Sequence, residues 1–222
     1  AGLRPEGRQG PMTRSLPAYR RYYERWSRVW EAQALLRARY CAGAPDVAAE
    51  FLRDIENLRY PGNGLPDDSL VEIRRLKARV DSERLPRGAD PATHVKLGPG
   101  GLTDVEWSVQ LVQLSHAHAV PGLRTTSTLM AMDVIAEAGL LTTVDLDALR
   151  EAWLAASRIR DALTLARGSA SDQLPRHGPE LVGMLAAMGH NGDVDPGEFV
   201  DEYLRTARRA NAVAERICYG SA

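Results

Sequence analysis

An all-α fold of about eight helices, in one helical bundle or two packed bundles, is predicted by three observations. Apolar residues recur at three-and-four spacing through most of the chain, the period of a helical face. Alanine, leucine and arginine dominate the 222 residues, whereas only 2 are phenylalanine, a composition that favours helices over sheets. Neither strand alternation nor an internal repeat interrupts that pattern.

Residues 1–16 read as a loop, because Ala1 to Pro11 is dense in glycine, proline and charge. Arg4, Glu6 and Arg8 there either hold anionic groups or belong to a solvated loop. Pro17 suits a first helical turn, and the spacing predicts one long helix to about Tyr40. Tyr19, Tyr22, Trp26, Val29, Trp30, Gln33 and Leu36 form its inward stripe, and Arg20, Arg21, Arg25 and Arg28 a basic flank. Asp46 then caps a short helix with Val47, Phe51, Ile55 and Leu58 inward. The next helix starts at Asp67 or Asp68, with Ile73, Leu76 and Val80 inward and Arg74, Arg75, Lys77 and Arg79 mostly outward. Pro86 to Pro91 marks a boundary between an N-terminal helical segment, 17–86, and a C-terminal bundle, 92–222.

The stretch Lys96-Leu-Gly-Pro-Gly-Gly-Leu-Thr-Asp-Val-Glu-Trp107 joins a glycine turn to a helix that is apolar on nearly every side. Leu102, Val105, Val109 and Val112 lie on one face, Trp107, Leu111 and Leu114 on another, so the helix belongs at the centre of a bundle. Glu106, Gln110 and Gln113 run down it as a polar stripe, either an internal hydrogen-bond network or the wall of a site. Thr103 to Glu106 has the form of a capping box, with Asp104 in the first turn and Gly100 and Gly101 shaping the entry. The same amides, with Lys96 beside them, alternatively form an anion cradle. His116 and His118 close the helix, and their i, i+2 spacing puts them on different faces, unsuited to a metal pair. Further helices follow over about 125–138, 145–167, 180–188 and 198–217.

The 28 basic and 29 acidic residues leave a net charge of −1, which argues against non-specific nucleic-acid binding. Cys41 and Cys218 lack metal-type spacing and read as free thiols. Without a signal peptide or a membrane-length apolar run, a soluble, cytoplasmic protein is expected, with no membrane or nucleic-acid partner.

Three motifs together resemble the bifunctional glutamine synthetase adenylyltransferase/adenylyl-removing enzymes. They are Leu3-Arg-Pro-Glu-Gly-Arg-Gln-Gly10, Tyr22-Tyr-Glu-Arg-Trp26 with Trp30-Glu-Ala-Gln-Ala-Leu-Leu-Arg37, and the glycine turn with its Leu-Thr-Asp-Val-Glu-Trp helix. Leu123-Arg-Thr-Thr-Ser-Thr-Leu129 and Leu85 to Asp90 resemble the C-terminal, adenylyl-transferring half of actinobacterial members. The resemblance implies a parent enzyme that transfers AMP from ATP to a tyrosine of glutamine synthetase and, in its other half, removes it. In that family, aspartates of a Gly-Ser motif and one just before Leu-Arg-Pro hold Mg2+, and none is present here. The resemblance therefore implies the helical part that follows a nucleotidyltransferase core, inactive alone, with no catalytic or metal-ligating residue and no cofactor held by itself. Mg2+ and ATP belong to the parent enzyme. Arg4, Glu6, Arg8 and Lys96 are expected near the nucleotide, and Gly100, Gly101, Asp104 and Glu106 form the helix-opening motif. Glutamine synthetase and a PII-type signal protein are the implied partners. The alternative is a regulatory or structural helical module without nucleotide chemistry.

Overall fold

The computed structural model describes residues 5–6 and 10–220. Among them are ten α-helices and no strand beyond one isolated bridge, an all-α architecture. The helices are α1 (Leu16–Trp26), α2 (Val29–Leu35), α3 (Pro45–Asp54), α4 (Glu56–Arg59) and α5 (Asp67–Glu83). There follow α6 (Leu102–His116), α7 (Thr128–Glu137), α8 (Thr143–Arg167), α9 (Pro179–Ala187) and α10 (Pro196–Tyr219).

The two helices beyond the expected eight come from breaks inside predicted helices. The stretch from Pro17 splits at Ser27–Arg28, where both residues are extended, at ψ 140° and 154°. Glu31 explains the break: its buried carboxylate accepts the Arg28 N–H at 2.9 Å and the Tyr22 hydroxyl at 3.0 Å. Those bonds hold Arg28 outside helical geometry and start α2 afresh. The split rotates Trp26 to the surface, 68 % exposed, so it leaves the predicted inward stripe, and Tyr23 is the buried ring of α1. A second break falls at Ile55, whose side chain is fully buried between α3 and α4. Asp46 does not cap α3: Pro45 opens the helix and Asp46 sits in its first turn.

Contacts divide the chain into two compact units, each assembled from two separate segments. Unit 1 comprises residues 1–76 and 110–138; unit 2 comprises 77–109 and 139–222. This partition differs from the linear division at 86–91, since α5 and α6 each contribute residues to both units.

In unit 1, α1 packs on α3 and α2 on α4. Leu36, Ile55, Leu114, Leu123, Met132 and Ile135 are its largest fully buried side chains. Two members of the polar stripe of α6, Gln110 and Gln113, form an internal network here. Gln33 Nε2 donates to Gln110 Oε1 at 2.8 Å, and Gln113 Nε2 donates to the carbonyls of Leu123 and Thr125, both at 2.8 Å. These bonds satisfy amides that burial would otherwise leave unpaired.

In unit 2, α8 packs on both α9 and α10. Thr142 caps α8 by accepting the Asp145 N–H, and Gly168, at φ 67°, ends it. Asp195 caps α10 through the Gly197 and Glu198 amides. Ile159, Leu163, Leu174, Leu181, Met184 and Tyr203 fill the core. No described helix is long and apolar enough to cross a membrane. Cys41 is exposed, Cys218 is buried, and neither is in a disulfide.

Candidate functional site

The glycine turn before α6 lies in unit 2 and is held from three sides. Its own backbone closes it: Gly98 N–H donates to His94 O at 2.7 Å and Gly101 N–H to Gly98 O at 2.9 Å. The first amides of α6 do the same, Leu102 to Val95 O and Thr103 to Lys96 O, both at 2.9 Å. The remaining donor, Gly100 N–H, is taken by Asp104 Oδ2 at 2.7 Å. The helix thus begins at Leu102, one residue before Thr103, and Asp104 reaches back to the turn. Thr103 therefore sits inside the first turn and does not cap.

Gly100 is required twice over. Its φ of +71° is a left-handed conformation that side chains rarely adopt, and an added Cβ would lie 1.8 Å from the Ala207 carbonyl oxygen of α10. The turn is thus pressed backbone to backbone against α10.

Asp104 is also half of a buried ion pair. Lys77 Nζ lies 2.7 Å from Asp104 Oδ1 and 2.7 Å from Asp81 Oδ2. Lys77 is 3 % exposed, which corrects the expectation that it faces outward. Sequence spacing held the signal, since Lys77 follows Ile73 by four residues and precedes Val80 by three, on the buried face of α5. Burial opposes its charge, but the Asp104 carboxylate, by charge and hydrogen bond, and then Asp81, outweigh it and raise the ammonium above its ordinary pKa. Burial, with the Asp104 charge adding, likewise raises the Tyr203 phenol. Ser108 Oγ donates to the Asp104 carbonyl at 2.8 Å, completing the residue's contacts.

A phosphate cradle needs free amides and a metal site needs free carboxylates. Every amide from Gly100 to Thr103 is bonded within the turn, and the Asp104 carboxylate is shared by Lys77 and Gly100. Among the described residues, no group of three or more His, Cys, Asp or Glu side chains is placed to hold a metal ion. The described turn therefore does not fit a triphosphate or Mg2+.

The other sequence-selected residues are distributed as follows. Glu6 accepts from Arg14, whose guanidinium also lies over the Tyr22 ring, 5.4 Å from its centroid. Arg4 and Arg8 fall outside the described residues. Lys96 is exposed, and Glu106 is half-buried on α6. Glu6 belongs to unit 1 and Lys96 to unit 2. Sequence reasoning missed one further network in unit 2, in which Arg176 and Thr93 both donate to Asp90 and Gln173 donates to Thr93.

Comparison with known proteins adds the family. Residues 74–218 match the family model described as GlnD PII-uridylyltransferase, and residues 1–54 match the one described as glutamate-ammonia ligase adenylyltransferase. Proteins named bifunctional glutamine synthetase adenylyltransferase/adenylyl-removing enzyme are similar along the whole chain. Those of Mycobacterium avium and Mycobacterium tuberculosis are 54 % and 55 % identical over 221 residues, 100 % of this chain. That of Nocardia farcinica is 52 % identical over the same length. The chain spans 22 % of the length of each of these curated relatives.

Proposed function

The chain belongs to the GlnD PII-uridylyltransferase family, and from that membership we propose that it is the helical portion of a glutamine synthetase adenylyltransferase. One observation carries the reading: identity of 52–55 % extends over 219–221 residues to relatives bearing that name. On this reading the parent enzyme moves AMP from ATP to a tyrosine of glutamine synthetase, with Mg2+ held by carboxylates of a nucleotidyltransferase core. Two-metal clamping is the chemistry Mg2+ supplies there. The helices contribute docking and support, and alone they are inactive.

The glycine turn, with Gly100, Gly101, Asp104 and Glu106, serves as a rigid joint. Support for that role comes from the Asp104 carboxylate, which ties α5 to the turn, and from Gly100, which seats the turn on α10. Arg4 and Arg8 are assigned to the nucleotide phosphates, as the family resemblance implies. Lys96, exposed beside the turn, is assigned to an anionic surface of the core. Contact with a PII-type protein belongs to the same proposal.

Sedimentation of the chain with glutamine synthetase, with and without Mg-ATP, tests the docking role. Saturable co-sedimentation without ATP is expected. No binding in either condition would reject docking and leave these helices as support and regulation of the core.

A further inference from the structure

Trp26 is the exception among the aromatic side chains of α1 and α3. Tyr19 stacks on Tyr23 with ring centroids 6.1 Å apart and meets Phe51 edge-on at 5.3 Å, and Tyr22 meets Tyr23 edge-on at 5.3 Å. Trp26 is 68 % exposed and makes no ring contact or hydrogen bond among the described residues. Helical spacing alone would carry it inward with those rings. What turns it outward is the break that follows, where Ser27 and Arg28 are extended. The Glu31 carboxylate, only 3 % exposed as a residue, fixes that break through the Arg28 N–H and the Tyr22 hydroxyl. A buried network therefore presents the indole to solvent.

The arginines of the same segment divide in a parallel way. Arg14 is held by Glu6 and by the Tyr22 ring, and Arg20 by Glu50 and both oxygens of Asp54. Arg21, Arg25 and Arg28 are exposed, and their side chains make no ion pair or hydrogen bond among the described residues. Arg25 immediately precedes Trp26, Arg28 follows it by two residues, and Arg21 lies about one helical turn behind Arg25. Glu24 is the one carboxylate from Leu16 to Arg28, so the exposed side of the segment is net positive. Tryptophan and arginine are the side chains most enriched at the energetic centres of protein interfaces. Unpaired arginines select an acidic surface, and they repel the same face of a second copy brought up by a two-fold axis.

We propose that Trp26, with Arg21, Arg25 and Arg28 around it, is the surface by which this chain docks on its protein substrate. The indole enters an apolar pocket whose rim of carboxylates pairs with the arginines. The inference rests on the glutamine synthetase reading and gives the docking role a place on unit 1.

The test is co-sedimentation with glutamine synthetase, without ATP, of the unchanged chain, Trp26→Ala and Arg25→Glu/Arg28→Glu. Arg75→Glu/Arg208→Glu is the control, since those arginines lie outside this segment and are also exposed and without an ion pair among the described residues. Trp26→Ala should weaken binding about thirtyfold or more, the effect of removing an interface anchor. Arg25→Glu/Arg28→Glu should weaken it about tenfold at low salt, with the deficit shrinking as salt rises, and the control should stay within about twofold. Both test variants change exposed side chains, so their Tm should stay within about 2 °C of the unchanged chain. If the unchanged chain binds and both test variants bind equally well, this surface is overturned while the glutamine synthetase reading stands. An equal loss in the control overturns it too, because overall charge would then explain the binding. No binding by the unchanged chain removes the docking role and this surface with it. Self-association of the chain alone that Trp26→Ala abolishes would make a second copy the occupant and overturn the proposal.

Discussion

Lys77 shows how one residue can link two distant stretches of chain. Its ammonium, 2.7 Å from both Asp81 and Asp104, neutralises a carboxylate that also holds the Gly100 amide. Lys77→Met would leave Asp104 buried without a cation, and a loss of about 3–5 kcal/mol in urea unfolding is expected. The sign of the pH effect follows from the raised pKa. The contribution of Lys77 is whole below its ordinary value of 10.5 and fades only as pH climbs through the higher folded value. The gap between wild type and Lys77→Met should therefore stay constant over roughly pH 7 to 9. A gap that closes in that range would mean the ammonium is not the paired group. Cys218 lies in the same charged neighbourhood. Burial pushes its thiol up to about 11, while the Lys77 charge pulls down and the Asp104 charge pushes up. Near neutral pH the thiolate is scarce, so iodoacetamide should label exposed Cys41 in the native protein and reach Cys218 only after unfolding. Equal native labelling of both thiols would contradict this burial.

At the scale of elements, two features hold helices to one another. The glycine turn is fastened to α10 by the space that only Gly100 leaves. Gly100→Ala should cost about 3 kcal/mol or more, because strain and a backbone clash act together. Gly139, at φ +64° with open space around it, provides the contrast: in urea unfolding of both variants, Gly139→Ala should cost only about 1 kcal/mol. Between α2 and α6 the fastening is Gln33 to Gln110. Gln33→Leu alone strands a buried acceptor and should cost about 1–3 kcal/mol, whereas the double change to leucine should cost less than the sum of the singles. Additive losses would show the pair to be uncoupled. Helix existence was legible from apolar spacing, as α5, α6, α8 and α10 demonstrate. The break between α1 and α2 was not, because it depends on the Glu31 carboxylate engaging Tyr22 and Arg28 in three dimensions.

For the whole molecule, interleaving of the two units matters most. Residues 77–90 belong to unit 2 and 110–138 to unit 1, so a cut near residue 90 takes from each what it needs. Expressed separately, residues 1–90 and 91–222 should each lose cooperative melting by circular dichroism, the second because it lacks Lys77 opposite Asp104. Two cooperative, independently folded pieces would instead favour the linear boundary at 86–91.

By itself the sequence determined the all-α class, most helix limits and the family, because periodicity, capping residues and motif order are local properties of the chain. The tertiary structure decided which polar residues are enclosed and by whom: Lys77 with Asp104, and Gln33 with Gln110. It also closed the amides of the glycine turn among the turn's own acceptors. Each of these outcomes joins residues separated along the chain, and no periodicity specifies which distant group will meet a buried charge or amide.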